Sequence, residues 1–328
     1  MLAFPPSQLE FIANQLVEGF LIGLNKSPFH GFSVEFAEHR SYNAGDPLKH
    51  IDWKVYGKTE KLFTRKYDEE TNLRCCMLID SSSSMDFKAT QEVMSKKQFA
   101  CLLSGSMLHL LKSQLDATAL AYQTSADSIL TPCKSSVSHY NYLFSSLTNL
   151  YEDHAMTFSI DLTKQLNELA ERMHKRSLII VFSDCLEAGE KQADFLDALC
   201  HLKFQGHEVL LFQILESEKE LEFSFEQKPT AFEDLENGSV LYVDVPQIKD
   251  EYRIGIQEFV NSVRKTCLEA RISYELIDLQ TPVQEVLQQF LLKIVIKMYY
   301  RTCSHINYFQ LTYSPLKKVF NFLNKILQ

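Results

Sequence analysis

The stretch C-C-M-L-I-D-S-S-S-S-M-D, residues 75–86, decides how the rest of this chain is read. Cys75 to Ile79 is an apolar run without charge, the length of one buried strand. It ends on Asp80, and the serines Ser81 to Ser84 follow. A carboxylate and several hydroxyls are therefore delivered at a strand's carboxyl end, where open α/β sheets place their ligands. Asp80, Ser82 and Ser84 form a D-x-S-x-S pattern of hard oxygen donors suited to a small divalent cation such as Mg²⁺ or Mn²⁺. The competing reading is a polar turn whose serines cap a helix from Asp86 onward.

Working outward, apolar strands and longer helical patterns alternate. Lys88–Lys112 reads as helix, Ala117–Tyr122 as strand, and Tyr140–Leu150 and Ser159–Met173 as helices. Leu178–Phe182 is a second apolar strand, ending on Ser183 and Asp184. Lys191–Phe204 is helix, broken by Gly206, and Val209–Leu215 is strand. Glu220–Val245 alternates around Asn237-Gly238, a hairpin signal. Asp250–Ala270 reads as helix, Ile272–Ile277 as strand, and Val283 to about Ile296 as helix. Strands separated by helices imply one α/β domain with a doubly wound, mainly parallel sheet and helices on both faces.

Ahead of it, a helix is expected from about residue 8 to 24, and residues 25–74 read as short strands and turns punctuated by Gly31, Gly45 and Gly57. The division expected is an extension over 1–74, the α/β domain over 75–296 and a tail over 297–328. That tail belongs to a basic stretch: after Glu285 there is no acidic residue, and six basic ones follow from Lys293.

Composition narrows the function. The 328 residues are 45% hydrophobic and 23% charged, with formal net charge −9, which argues against a general nucleic-acid binder. No run reaches the ~18 apolar residues of a membrane span, and no secretory leader is recognisable. The eight cysteines form no C-x-x-C pair and read as reduced, buried thiols of a cytoplasmic protein. Adjacent Cys75 and Cys76 are expected on opposite faces of their strand. A phosphate loop, a G-x-S-x-G elbow and H-E-x-x-H are all absent. The histidines show no ligand spacing, and His201 and His207 flank Gly206 as helix-end residues.

What remains is a pair of strand-end carboxylates, Asp80 and Asp184. Parallel strands would put both on one edge, where they repel unless a proton or cation lies between them. A third hydroxyl would complete an oxygen set, and Thr157 or Ser159 is placed to supply it. The competing role for Asp184 is helix capping.

Residues 75–86 followed by L-I-I-V-F-S-D resemble the von Willebrand factor A-type fold with its metal-ion-dependent adhesion site. Residues 31–74 resemble the segment preceding such a domain in the bacterial domain-of-unknown-function-58 family, through Glu35-Phe36, Arg40, Tyr42, Gly45-Asp46, Ile51-Asp52-Trp53 and Lys54. Residues 201–215 and 229–238 match the form of Bacteroidetes-type bacteria, so the resemblance runs over about 25–296. It implies a six-stranded A-type sheet and metal ligands at Asp80, Ser82, Ser84 and Asp184, completed by Thr157 or Ser159. It further implies a non-catalytic module whose metal ion takes up a partner's carboxylate, and a MoxR-type AAA+ ATPase as that partner. The alternatives are a metal-free scaffold with a decayed site and a metal-dependent hydrolase. The hydrolase requires a general base near the metal, and none stands at recognisable spacing. The tail after about 297 departs from the family, and Asp46, Asp52 and Trp53 read as turn and packing residues or as a partner contact.

Overall fold

A computed structural model describes residues 9–15, 39–41, 56–57, 59, 63–65, 73–88, 94–124, 127–153, 161–186, 190–225, 228–233 and 239–291. The basic tail, Asp46, Asp52 and Trp53, and most of the expected N-terminal helix lie outside these residues. Within the extension, β1 (His39–Ser41) and β2 (Phe63–Arg65) form an antiparallel ribbon.

The main sheet has six strands: β3 (Arg74–Ile79), β4 (Ala117–Gln123), β5 (Ser128–Leu130), β6 (Leu178–Ser183), β7 (Glu208–Leu215) and β10 (Ser273–Asp278). Their spatial order is β10-β7-β6-β3-β4-β5. All neighbouring pairs are parallel except β4 and β5. The antiparallel edge strand β5 was not expected from sequence, because S-I-L is too short to show a period. Helices α1 (Lys96–Ser113), α2 (Val137–Glu152), α3 (Leu162–Arg172), α4 (Glu190–Phe204) and α5 (Val245–Glu269) supply the connections. Between β7 and α5 lie a π-helical turn, Ser217–Leu221, and the antiparallel hairpin of β8 (Pro229–Glu233) and β9 (Val240–Asp244).

Strand alternation divides the core. Cys75, Met77 and Ile79 point to one face, where they join side chains of α1, α2 and the helix at 283–291. Cys76 and Leu78 point to the other, against α3, α4 and α5. Both faces of the central strand are thus fully buried, which is why its sequence is apolar throughout rather than alternating. Leu9 and Ala13 of the helical segment 9–15 pack on the first face, and a Cβ at Gly105 of α1 would come within 2.8 Å of Leu9. The seven cysteines among the described residues are free.

Helix starts differ from the periodicity by three residues or more in four places, each for a local reason; α2 begins at Val137 and not at Tyr140, because the Ser136 side chain caps it by accepting from the His139 N–H. α1 begins at Lys96 and not at Lys88, because Ser95 caps it with a complete capping box whose other member is Gln98. α3 begins at Leu162, where the Asp161 carboxylate accepts from the Lys164 N–H at 2.9 Å. α5 begins at Val245, with Pro246 in its first turn, where a missing N–H costs nothing. Ser83–Asp86 is a short 3₁₀ turn without a side-chain cap, so the serines do not cap a helix starting at Asp86.

Phe212 of β7 stacks on Phe182 of β6 at 5.2 Å and meets Phe290 edge-on at the same separation. Truncating it empties a fully buried position. Phe212→Ala should lower the unfolding free energy by about 3–5 kcal/mol in urea titration, whereas Phe204→Ala should change it by less than about 0.5 kcal/mol. Phe204 is 88% exposed at the end of α4.

Candidate functional site

The chain passes from β3 through α1 to β4 on one side of the sheet, and later builds β6, β7 and β10 outward on the other. The reversal opens a crevice beyond the carboxyl ends of β3 and β6, the position that ligands favour in open α/β sheets. The two segments singled out from sequence, Asp80–Ser84 and Ser183-Asp184, lie there. Ile79 is in register with Phe182, and the Asp80 N–H donates to the Phe182 carbonyl at 2.9 Å.

Asp80 is buried, and both of its oxygens accept hydrogen bonds. Oδ1 takes the Ser82 N–H at 2.9 Å, and Oδ2 takes the Ser183 hydroxyl at 2.6 Å. The Ser82 and Ser84 hydroxyls are 3.0 Å apart. Ser81 faces away from this group: its hydroxyl donates to the Gln123 carbonyl at 2.6 Å and ties the loop to the end of β4. Met85, fully buried, anchors the turn from below. The D-x-S-x-S spacing thus brings Asp80, Ser82 and Ser84 together and uses the intervening serine as a fastening.

Asp184 is also buried, and its carbonyl accepts from Gln213 Nε2 at 3.0 Å. Gln213 in turn takes the Tyr274 hydroxyl at 2.7 Å, so β7 and β10 brace the residue from the side. The carboxylate accepts the Leu186 N–H at 3.0 Å on Oδ1 and the Lys96 ammonium at 2.6 Å on Oδ2. Cys185, immediately after it, has φ +60°, a left-handed conformation that a non-glycine residue adopts at a cost of about 1–3 kcal/mol. Its thiol is pushed well up by burial and then by the charges of Asp184 and Asp80, which makes it a poor nucleophile.

Lys96 and Glu220 were not identified from sequence. Lys96 has no exposed surface, and its ammonium also binds Glu220 of the π-helical turn at 2.7 Å. Burial opposes its charge, but Asp184 and Glu220 outweigh that and hold its pKa above the ordinary value. The neighbouring Lys97 reaches Asp86 at 2.8 Å, so consecutive lysines at the start of α1 grip both site loops. A cation at a helix N-terminus opposes the helix dipole, so the carboxylates must hold these side chains in place. The one available signal was the Ser95–Gln98 capping box, which puts Lys96 and Lys97 in the first turn beside the strand ends.

Thr157 and Ser159, expected to complete the site, lie outside the described residues. Among the described residues no group of three His, Cys, Asp or Glu side chains is arranged to hold a metal ion. The grouping at β3 and β6 is instead rich in hydroxyls. Its donor set fits a hard cation: a buried carboxylate, two adjacent hydroxyls and a second carboxylate nearby. Burial, and then the charge of Asp184, push the Asp80 carboxyl up to about 6 despite the hydrogen bonds from Ser183 and Ser82. A cation beside Asp80 would relieve that repulsion.

In the unfolded chain Asp80 titrates near its ordinary value of 3.8, so between that value and about 6 the metal-free fold holds the extra proton. Its contribution to stability therefore falls as pH rises through this window and is lowest above it, by roughly 2–3 kcal/mol. In chelator, the melting temperature of Asp80→Asn relative to the unsubstituted protein should rise between pH 4 and pH 7. A difference independent of pH would contradict the assignment.

Comparison with known proteins gives a family and no activity. An uncharacterized protein of Mycobacterium tuberculosis and another of Mycobacterium bovis are each 21% identical over 245 residues, 74% of each chain. Among solved structures, a conserved hypothetical protein, BatB, from Bacteroides thetaiotaomicron is 15% identical with a TM-score of 0.43, over 68% of this chain and 98% of that one. An aerotolerance-related membrane protein from Bacteroides fragilis is also 15% identical, with a TM-score of 0.38, over 66% and 98%. The family model for "Protein of unknown function DUF58" matches residues 38–265, and with more than half of its length matched the chain belongs to the DUF58 family.

Proposed function

We propose that this chain is a non-catalytic interaction module that binds a partner's carboxylate through a divalent cation, Mg²⁺ or Mn²⁺. Asp80, Ser82 and Ser84 would supply the oxygens, Asp184 the second negative charge, and Thr157 or Ser159 the third loop. The observation that carries this reading is the meeting of Asp80 and the Ser82–Ser84 hydroxyl pair with Asp184 at the β3/β6 crevice. A small cation held by few protein oxygens keeps coordination positions for outside ligands. A carboxylate is the matching ligand, being hard and anionic.

A metal-dependent hydrolase would require a general base near the metal besides the residues that hold it, and the sequence offers none at recognisable spacing. The MoxR-type AAA+ ATPase is proposed as partner on the family resemblance. One observation favours a second reading, a metal-free scaffold: the Lys96 ammonium already sits on Asp184 and supplies positive charge where a cation would.

Among the described residues no helix is long and apolar enough to cross a membrane. Titration calorimetry should show Mn²⁺ binding that Asp80→Ala weakens at least about tenfold, as expected for removing the one carboxylate beside both hydroxyls. Capture of a MoxR-type AAA+ ATPase should occur in Mg²⁺ and fall away in EDTA. Capture undiminished in EDTA and in Asp80→Ala would overturn the metal-bridge reading.

A further inference from the structure

The buried charges around Lys96 form a chain. Asp80 and Asp184 face the β3/β6 crevice, Lys96 lies behind Asp184, and Glu220 lies behind Lys96. Glu220 is fixed from its far side, where its second oxygen accepts the Glu216 N–H at 2.8 Å. Glu216 is itself fully buried, caps the π-helical turn and takes an amide hydrogen bond from Gln280 at 2.7 Å. The ammonium is therefore held between two carboxylates that belong to separate, anchored segments. It has no exposed surface.

We propose that Lys96 is a built-in counter-cation of the site, which competes with a divalent metal for the charge of Asp184, and that Glu220 tunes this competition by drawing on the same ammonium. The inference deepens the metal-bridge reading and rests on it, but it assigns Lys96 and Glu220 a role of their own. With Asp80, Asp184 and Glu220 ionised and Lys96 protonated, the group carries two negative charges in excess. Loss of the lysine charge would leave three, and loss of the glutamate charge would leave one. In a buried setting each change acts on a divalent ion with little screening. Both residues act through Asp184 and are positioning residues.

The test is Mn²⁺ titration of the full chain by calorimetry at fixed ionic strength and pH 7.5, comparing Lys96→Met and Glu220→Gln with the unsubstituted protein. Lys96→Met should tighten the dissociation constant at least about tenfold, and Glu220→Gln should weaken it at least about threefold. Opposite directions are diagnostic. A residue that merely supports the fold would lower stability and affinity together in both variants. Glu220→Gln keeps the shape of the side chain and an acceptor for Lys96, so it decides the matter alone if Lys96→Met does not fold. Affinities of both variants within twofold of the unsubstituted protein, or a tighter Glu220→Gln, would overturn the proposal. If only Lys96→Met binds Mn²⁺, the ammonium is a permanent replacement for the metal; the competition then stands and the native metal bridge fails. If no variant binds, both readings fall.

Discussion

The contact between the Lys96 ammonium and the Asp184 carboxylate, 2.6 Å between two groups removed from solvent, is the interaction on which the site depends. The sheet forces Asp80 and Asp184 to the same edge because β3 and β6 are parallel neighbours in fixed register. Two ionised carboxylates in such a place cost several kcal/mol in desolvation and repulsion unless something offsets them. The protein offsets the two ends differently. Asp184 receives a full positive charge from α1, whereas Asp80 receives only dipoles, the Ser82 N–H and the Ser183 hydroxyl. The asymmetry leaves Asp80 as the group with unmet demand for a cation, and it is the one that stands beside the serine pair.

Much of this was legible in the residues. The uncharged run Cys75–Ile79 has the length of one buried strand, and the opposite facing of Cys75 and Cys76 follows from the period of a strand. A carboxylate at the end of each of two apolar strands identified the edge, and the D-x-S-x-S spacing identified which hydroxyls converge. Asn237-Gly238 placed the hairpin between β8 and β9, although those two residues lie outside the described ones. The family resemblance over about 25–296 agrees with the family match over 38–265.

What escaped the sequence is set by long-range contacts. Beyond the Ser95–Gln98 cap, nothing local separates Lys96 from an ordinary solvated lysine, since the carboxylates that bury it stand 88 and 124 residues away. The start of α1 was displaced for a related reason. Apolar periodicity carries the helix back to Lys88, and the Ser95–Gln98 cap outweighs the pattern before it. Strand β5 is set by pairing with β4 rather than by its own three residues.

The central claim is that the crevice at β3 and β6 takes a divalent cation on Asp80, Ser82 and Ser84. A crystal of the full chain soaked in Mn²⁺ tests it most directly, through anomalous difference density at the manganese edge. The account predicts a single strong peak in coordination contact, about 2.1–2.3 Å, with oxygens of Asp80, Ser82 and Ser84. The absence of a peak there, with Lys96 still bound to Asp184, would contradict it.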